Sequence, residues 1–259
     1  MYIDSHCHLD RVDLTPYEGS FGDMIEASRD AGVSHMLCVS IDLESYPAML
    51  EQVEPFPAIS VSVGVHPSDH GHREATVAEL VELATNPRNV AIGETGLDYF
   101  RAEGDLTWQR DRFRTHIRAA REAGKPLIIH TREAREDTLR ILDEEDAAAV
   151  GGVMHCFTET WEMAEAAMAM GFYISFSGIV TFKNASALRD VAMQVPLERM
   201  LIETDSPYLA PAPYRGKSNE PRYVARVAET IAELRGLSVK ELAQITSENF
   251  YRLFSAQPT

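Results

Sequence analysis

The chain is poor in cysteine, with Cys7, Cys38 and Cys156 as the only three in 259 residues. The number is odd and no Cys-x-x-Cys pair occurs, which argues against a disulfide framework or a structural zinc module. A reducing, cytoplasmic setting is the expectation. Long apolar runs are also lacking. None approaches the ~18 residues a membrane span needs, and the opening Met1-Tyr2-Ile3-Asp4-Ser5-His6 has neither the basic nor the apolar part of a signal peptide. Positive charge is in short supply: 24 Lys+Arg stand against 40 Asp+Glu, a formal net charge of −16. Such a field repels phosphate, so loose charge-driven binding to long nucleic acid or to anionic lipid is excluded. At 45% apolar residues the chain is not disordered.

What is present is a regular alternation. Short β-rich apolar runs occur at 2–9, 35–41, 58–65, 90–97, 126–131, 152–156, 172–177 and 200–205. Between them lie amphipathic stretches such as 21–31, 75–85, 108–123, 134–145 and 161–170. Gly32, Gly124, Gly151 and Gly171 act as helix stops before several strands. Continuous apolar strands alternating with helices predict a parallel sheet covered on both faces. Eight such units in a chain of this length predict an α/β TIM (β/α)8 barrel, with residues 1–259 forming a single domain. The competing doubly wound sheet would carry a Gly-x-Gly-x-x-Gly turn after its first strand, and this chain has His6-Cys7-His8 there. Ser238 and Glu241 predict a capping box opening a closing helix at 238–254.

The strand ends carry the chemistry. His6 and His8 are two apart, so strand alternation places both on one face. Glu94, His130, His155 and Asp205 each sit at or beside the carboxyl end of a different apolar strand. In a barrel those ends converge on one mouth, where active sites form. Four His, one Glu and one Asp exceed what a tetrahedral ion needs, and match two divalent ions sharing a bridging carboxylate. Imidazole-rich ligands favour Zn²⁺, with Mg²⁺ or Mn²⁺ also open.

The motifs 3–9 (IDSHCHL), 92–99 (IGETGLDY), 126–132 (PLIIHTR), 155–157 (HCF), 203–209 (ETDSPYL) and 219–221 (NEP) resemble, in order, those of the TatD family of metal-dependent deoxyribonucleases, most of all its bacterial YcfH-type members. The resemblance covers essentially the whole chain. It implies a metal-dependent TIM-barrel hydrolase of DNA phosphodiester bonds, with single strands or ends as substrate and 3′–5′ exonuclease action as one mode. It implies that His6, His8 and Asp205 hold one metal, that His130 and His155 hold the other, and that Glu94 bridges.

The mechanism expected from these residues uses a metal-bound hydroxide as nucleophile. Asp205 is the candidate general base, Glu94 the shared ligand, and Glu203 a support for Asp205 or for a ligand histidine. His66, Arg132, Lys183 and Arg215 are candidate phosphate contacts. The segment 208–222 carries Arg215, Lys217 and Arg222 against one acid, Glu220, and offers Tyr208 and Tyr214 for base stacking. His35 and His116 read as structural, and His70 and His72 as part of a solvated loop. Cys7 and Cys156 should point away from the mouth, and 143–146 should be a solvated acidic face. Two other functions share these features. One is a related amidohydrolase-type barrel acting on a small phosphate ester, an amide or a lactone. The other is a non-catalytic, metal-dependent interaction protein. No membrane or obligate protein partner is implied.

Overall fold

The computed structural model describes residues 1–69, 73–100 and 102–256. Eight parallel strands follow one another around a single sheet: β1 (Tyr2–Cys7), β2 (Val33–Val39), β3 (Ile59–Val63), β4 (Asn89–Asp98), β5 (Leu127–Arg132), β6 (Gly152–Met154), β7 (Phe172–Phe176) and β8 (Met200–Ile202). The sheet closes where β8 returns to β1. Cys7 and Ser206 form a parallel bridge there, Asp205 N–H donates to His6 O at 2.9 Å, and His8 N–H donates to Ser206 O at 2.8 Å.

Helices cover the outside: α1 (Phe21–Asp30), α2 (Tyr46–Val53), α3 (Val77–Leu83), α4 (Thr107–Ala123), α5 (Arg135–Glu144), α6 (Trp161–Ala169), α7 (Ser186–Gln194), α8 (Val224–Arg235) and α9 (Val239–Phe254). Among the described residues, no helix is long and apolar enough to cross a membrane. The capping box opens α9, with the Ser238 side chain accepting from Glu241 N and Glu241 reaching back to Ser238 N.

Strand alternation divides the apolar residues into two cores. One lies between the strands and the helices, and includes Met36, Ile92, Leu97, Ile129 and Ile202. The other fills the barrel, with Ile3, Leu37, Ala91, Ile128, Val153, Tyr173 and Leu201 meeting Phe250 and Phe254 of α9. The closing helix therefore plugs the end of the barrel opposite the mouth.

Of the four register shifts in the sheet, two interrupt this alternation beside the mouth. Along β1, Asp4 pairs Met36 and Cys7 pairs Cys38, so three steps on one strand answer two on the other. Along β4, Ile92 pairs Leu127 and Thr95 pairs Ile129, with the same mismatch. Each bulge shifts the inward-facing positions by one residue. Beyond the first, His6 and His8 face inward with Cys7 in the outer core, and beyond the second, Glu94 and Asp98 face inward with Leu97 outside. A uniform alternation from Ile3 or from Ala91 would have turned these groups away.

Candidate metal centre

Glu94 stands at the middle of the mouth, almost wholly buried. Its Oε2 lies 3.4 Å from His6 Nε2 and 3.7 Å from His8 Nε2. Its Oε1 lies 2.8 Å from His155 Nε2, 3.1 Å from His130 Nδ1 and 3.3 Å from His66 Nε2. Asp205 completes the first lobe, its Oδ1 3.4 Å from His8 Nε2 and 3.7 Å from His6 Nε2. Asp205 sits at φ 58°, a left-handed conformation that Asp tolerates. Gly96, at φ 135°, lets β4 press against β5, since a Cβ there would lie 2.0 Å from His130 O.

The environment of each ring decides which nitrogen is offered. His8 Nδ1 donates to Val39 O at 2.9 Å, so its Nε2 presents a lone pair to the mouth. His155 Nδ1 donates to Glu203 Oε1 at 3.1 Å, and the same oxygen accepts from Cys156 N at 2.8 Å. Glu203 thus orients His155. His130 Nε2 meets Asp98 Oδ2 at 3.1 Å, leaving Nδ1 toward Glu94. Asp98 is itself fixed by Gln109 of α4, which bonds both its N–H and its C=O at 2.9 Å. Carboxylate–histidine pairs of this kind are the usual support of a metal site.

The donor set fits divalent metal. The Nε2 atoms of His6 and His8 face each other at 3.3 Å, and with an Asp205 oxygen their ligand atoms fall within 4.8 Å of one another. His155 Nε2 is buried without a hydrogen bond. Buried lone pairs aimed at one another repel unless a cation lies between them. Electrostatics point the same way. Burial works to raise the Glu94 carboxyl, but His155, His66, His6 and His130, when protonated, outweigh it and hold the group well below the usual carboxylate range, so the carboxylate stays charged wherever positive charge is supplied beside it. Burial likewise opposes ionisation of Asp205, and His8, His155 and His6 overcome it when their rings carry the extra proton, a positive charge that a bound cation would replace. Both carboxylates are kept charged at the spots where a cation would be bound.

His66 differs from the other four. Its Nδ1 accepts from Ser68 N–H at 3.0 Å, so its Nε2 carries the proton and acts as a donor. His35 and His116 are structural, as expected. His35 bonds Ser60 Oγ at 2.9 Å, and His116 Nε2 accepts from Val65 N–H at 2.9 Å.

A cavity of about 610 Å³ opens over the centre, walled on one side by Arg132 and on the other by Ile179, Tyr208 and Leu209. Arg132 stacks 3.6 Å over Phe100. Tyr208 is 51% exposed with its ring against His8. Tyr214 instead stacks on Tyr223 at 4.1 Å, a packing role. Lys183 and Arg215 stand outside the cavity wall, Arg215 over Phe182 at 4.1 Å. Arg222 is taken up by Glu220 at 2.8 Å.

Two expectations need correction. Cys156 borders the cavity, because a positive φ of 42° turns the chain just after His155. The acidic run 143–146 is not freely solvated: Glu144 and Glu145 bind Arg114, and Asp146 binds Arg121, tying α5 to α4. His70 and His72 lie outside the described residues. Asp98 is the residue sequence reasoning passed over. Its signal was present, since it repeats the parity of Glu94 four positions along the same strand.

Comparison with known proteins agrees with this geometry. The uncharacterized metal-dependent hydrolase YcfH of Escherichia coli K12 is 48% identical over 252 residues, covering 97% of this chain and 95% of that protein. The 3′-5′ ssDNA/RNA exonuclease TatD of Edwardsiella piscicida is 32% identical, covering 94% of this chain and 97% of that protein. The crystal structure of YJJV, a TatD homologue from E. coli K12, superposes with a TM-score of 0.90 at 28% identity, covering 99% of this chain and 98% of the other. The family description "TatD related DNase" matches residues 3–255, and the chain belongs to this family of metal-dependent hydrolases.

Proposed function

We propose that this protein hydrolyses DNA phosphodiester bonds, taking single strands or strand ends at a centre of two divalent ions. One observation carries the reading: the two oxygens of Glu94 face different imidazoles, Oε2 toward His6 and His8 and Oε1 toward His130, His155 and His66. His6, His8 and Asp205 would hold one ion, His130 and His155 the other, and Glu94 both. Bound divalent ions would supply Lewis acidity toward a phosphoryl oxygen and activate water.

The chain's own residues do the rest. Asp205, kept ionised and at the edge of the cavity, takes the proton from the attacking water. Glu203 and Asp98 keep His155 and His130 in their tautomers. The His66 Nε2–H and the Arg132 guanidinium donate to phosphate oxygens. Tyr208 offers an open ring face to a base. In this reading residues 1–259 act as one hydrolase domain, and the three free thiols fit a cytoplasmic setting. The name of the Edwardsiella relative adds support for a single-stranded substrate, DNA or RNA.

The test is metal analysis of the purified protein joined to hydrolysis of end-labelled single- and double-stranded DNA with Zn²⁺, Mg²⁺ or Mn²⁺ restored. Two ions per chain and metal-dependent release of nucleotides are expected. Turnover of lactones or amides with inert DNA would move the activity to the amidohydrolase-type alternative. Stoichiometric metal without turnover of any ester would leave an interaction protein.

A further inference from the structure

Most guanidinium groups of this acidic chain are already engaged. Arg112 grips Glu74 at 2.6 Å, Arg118 grips Glu145 at 2.7 Å, and Arg135 grips Glu159 at 2.7 Å. Arg88 and Arg235 donate to backbone carbonyls. At the β7–β8 edge of the mouth the pattern reverses. Lys183, Arg215 and Lys217 are exposed, and among the described residues none of them has a carboxylate partner. The Arg215 guanidinium stands 4.1 Å over the Phe182 ring, and among the described residues its N–H groups have no hydrogen-bond acceptor.

These cations stand on a braced support that continues the cavity wall. Ile179, Tyr208 and Leu209 line the cavity. The turn Gly178–Thr181 packs tightly on the segment after β8, for a Cβ on Gly178 would lie 2.2 Å from Leu209 O. Thr181 Oγ1 accepts from Ala212 N–H at 2.8 Å. From below, Asn219 Nδ2 donates to Thr204 O at 2.8 Å and to Tyr208 O at 2.6 Å. Phe182 and Arg215 then join the two loops at the top.

We propose that this rim is a second binding subsite, a cationic track for the phosphates of a single nucleic-acid strand beyond the cavity. A cavity of about 610 Å³ accommodates the nucleotide at the reacting bond, so the remainder of the strand must cross the rim. On a body of net charge −16, an edge of unpaired cations is the path that repels a polyanion least. The inference rests on the phosphodiester reading of the mouth and adds to it a dependence on strand length.

The experiment compares the metal-loaded protein with its Lys183→Ala/Arg215→Ala/Lys217→Ala variant. Binding of phosphorothioate oligothymidylates of two and of eight nucleotides is followed by fluorescence anisotropy over a salt series, and hydrolysis of the matching phosphodiesters is measured in parallel. Because all three side chains are exposed, the variant should melt at the temperature of the parent. The parent should bind the octamer more tightly than the dimer. The variant should lose about tenfold in octamer affinity at low salt, much less for the dimer, and the salt slope should fall by about 2, at ~0.7 per lost phosphate contact. A Lys183→Arg/Lys217→Arg variant should keep the parent's length dependence. Equal losses at both lengths would place the cations at the cavity and overturn the track, as would an octamer affinity and salt slope that do not change. If the parent hydrolyses the dimer without preferring the octamer, the track fails and the phosphodiester reading stands. Length-dependent binding without any hydrolysis would keep the track and overturn the phosphodiester reading.

Discussion

The two lobes of the candidate ligand cluster are positioned by different kinds of structure. His130 and His155 sit where strand pairing is continuous beyond the β4 bulge: β5 pairs β4 from Ile129 through Arg132, and β6 pairs β5 at Leu127–Gly152, Ile128–Val153 and Ile129–Met154. His6, His8 and Asp205 straddle the seam between β1 and β8, where Cys7–Ser206 is an isolated bridge beside a bulge. Side chains take over the work of ladder hydrogen bonds there. Asp4, fully buried, accepts from the Thr204 N–H at 2.8 Å and bonds its hydroxyl. Asn219 holds the carbonyls of Thr204 and Tyr208 on either side of Asp205. Tyr17 and Arg222 both bind Glu220, joining the loop after β1 to the loop after β8. One lobe therefore rests on continuous strand pairing, and the other on a few backbone bonds reinforced by buried polar side chains, so the two should fail differently.

The largest effect should come from the residue both lobes share. Glu94→Gln removes the bridging charge, and loss of both ions with loss of measurable hydrolysis is expected, read by metal analysis and turnover. Retention of two ions would break the bridging assignment. Next in size are substitutions confined to one lobe. His130→Ala should lose one ion and most phosphodiesterase activity in a folded protein, and His8→Ala should lose the other. If either variant released both ions together, the lobes would be a single cooperative site. The supports should cost less: Asp98→Asn and Glu203→Gln are each expected to lower metal affinity or activity about 10- to 100-fold, measured by competition with a chelator.

Smaller still, and separating the seam from the sheet, is Asp4→Ala. It leaves the buried Thr204 N–H unpaired, at a cost of about 1–3 kcal/mol. Denaturant unfolding should show that loss, and metal release should be faster from the His6–His8–Asp205 lobe than from its neighbour. Equal release from both would mean that the seam holds its ligands no differently from the sheet. Away from the centre, pH gives a background against which to judge these variants. Burial holds His35 and His116 near a pKa of about 4, against 6.5 when exposed. A depressed histidine favours the folded state above pH 6.5 and loses that contribution as the pH falls through 4, because the unfolded chain then binds more protons. Thermal unfolding should therefore shift downward between pH 6.5 and 4, and less so in a His35→Asn variant.

Much of this was legible from residue order. Apolar runs ending in Glu94, His130, His155 and Asp205 located the mouth, because parallel strands of a barrel must bring their carboxyl ends together. The recurring motifs pointed to the family. Helix α9 could be placed from Ser238 and Glu241, since a capping box is a local interaction. Asp98 escaped notice because its role depends on how far β4 extends, to Asp98 itself. Cys156 borders the cavity against expectation because a single positive φ turns it, and strand alternation knows nothing of such a turn.

The sequence by itself determined which chemical groups meet, for periodicity and strand order are properties of the chain. Only the tertiary structure decided how they meet. The two bulges arise from register against neighbouring strands, and they turn His6, His8 and Glu94 inward. The tautomers follow from partners far away in the chain, Val39 for His8 and Glu203 for His155. Which arginines remain free depends on which acids fold beside them. These are long-range relations, and local sequence carries no record of them until the barrel closes.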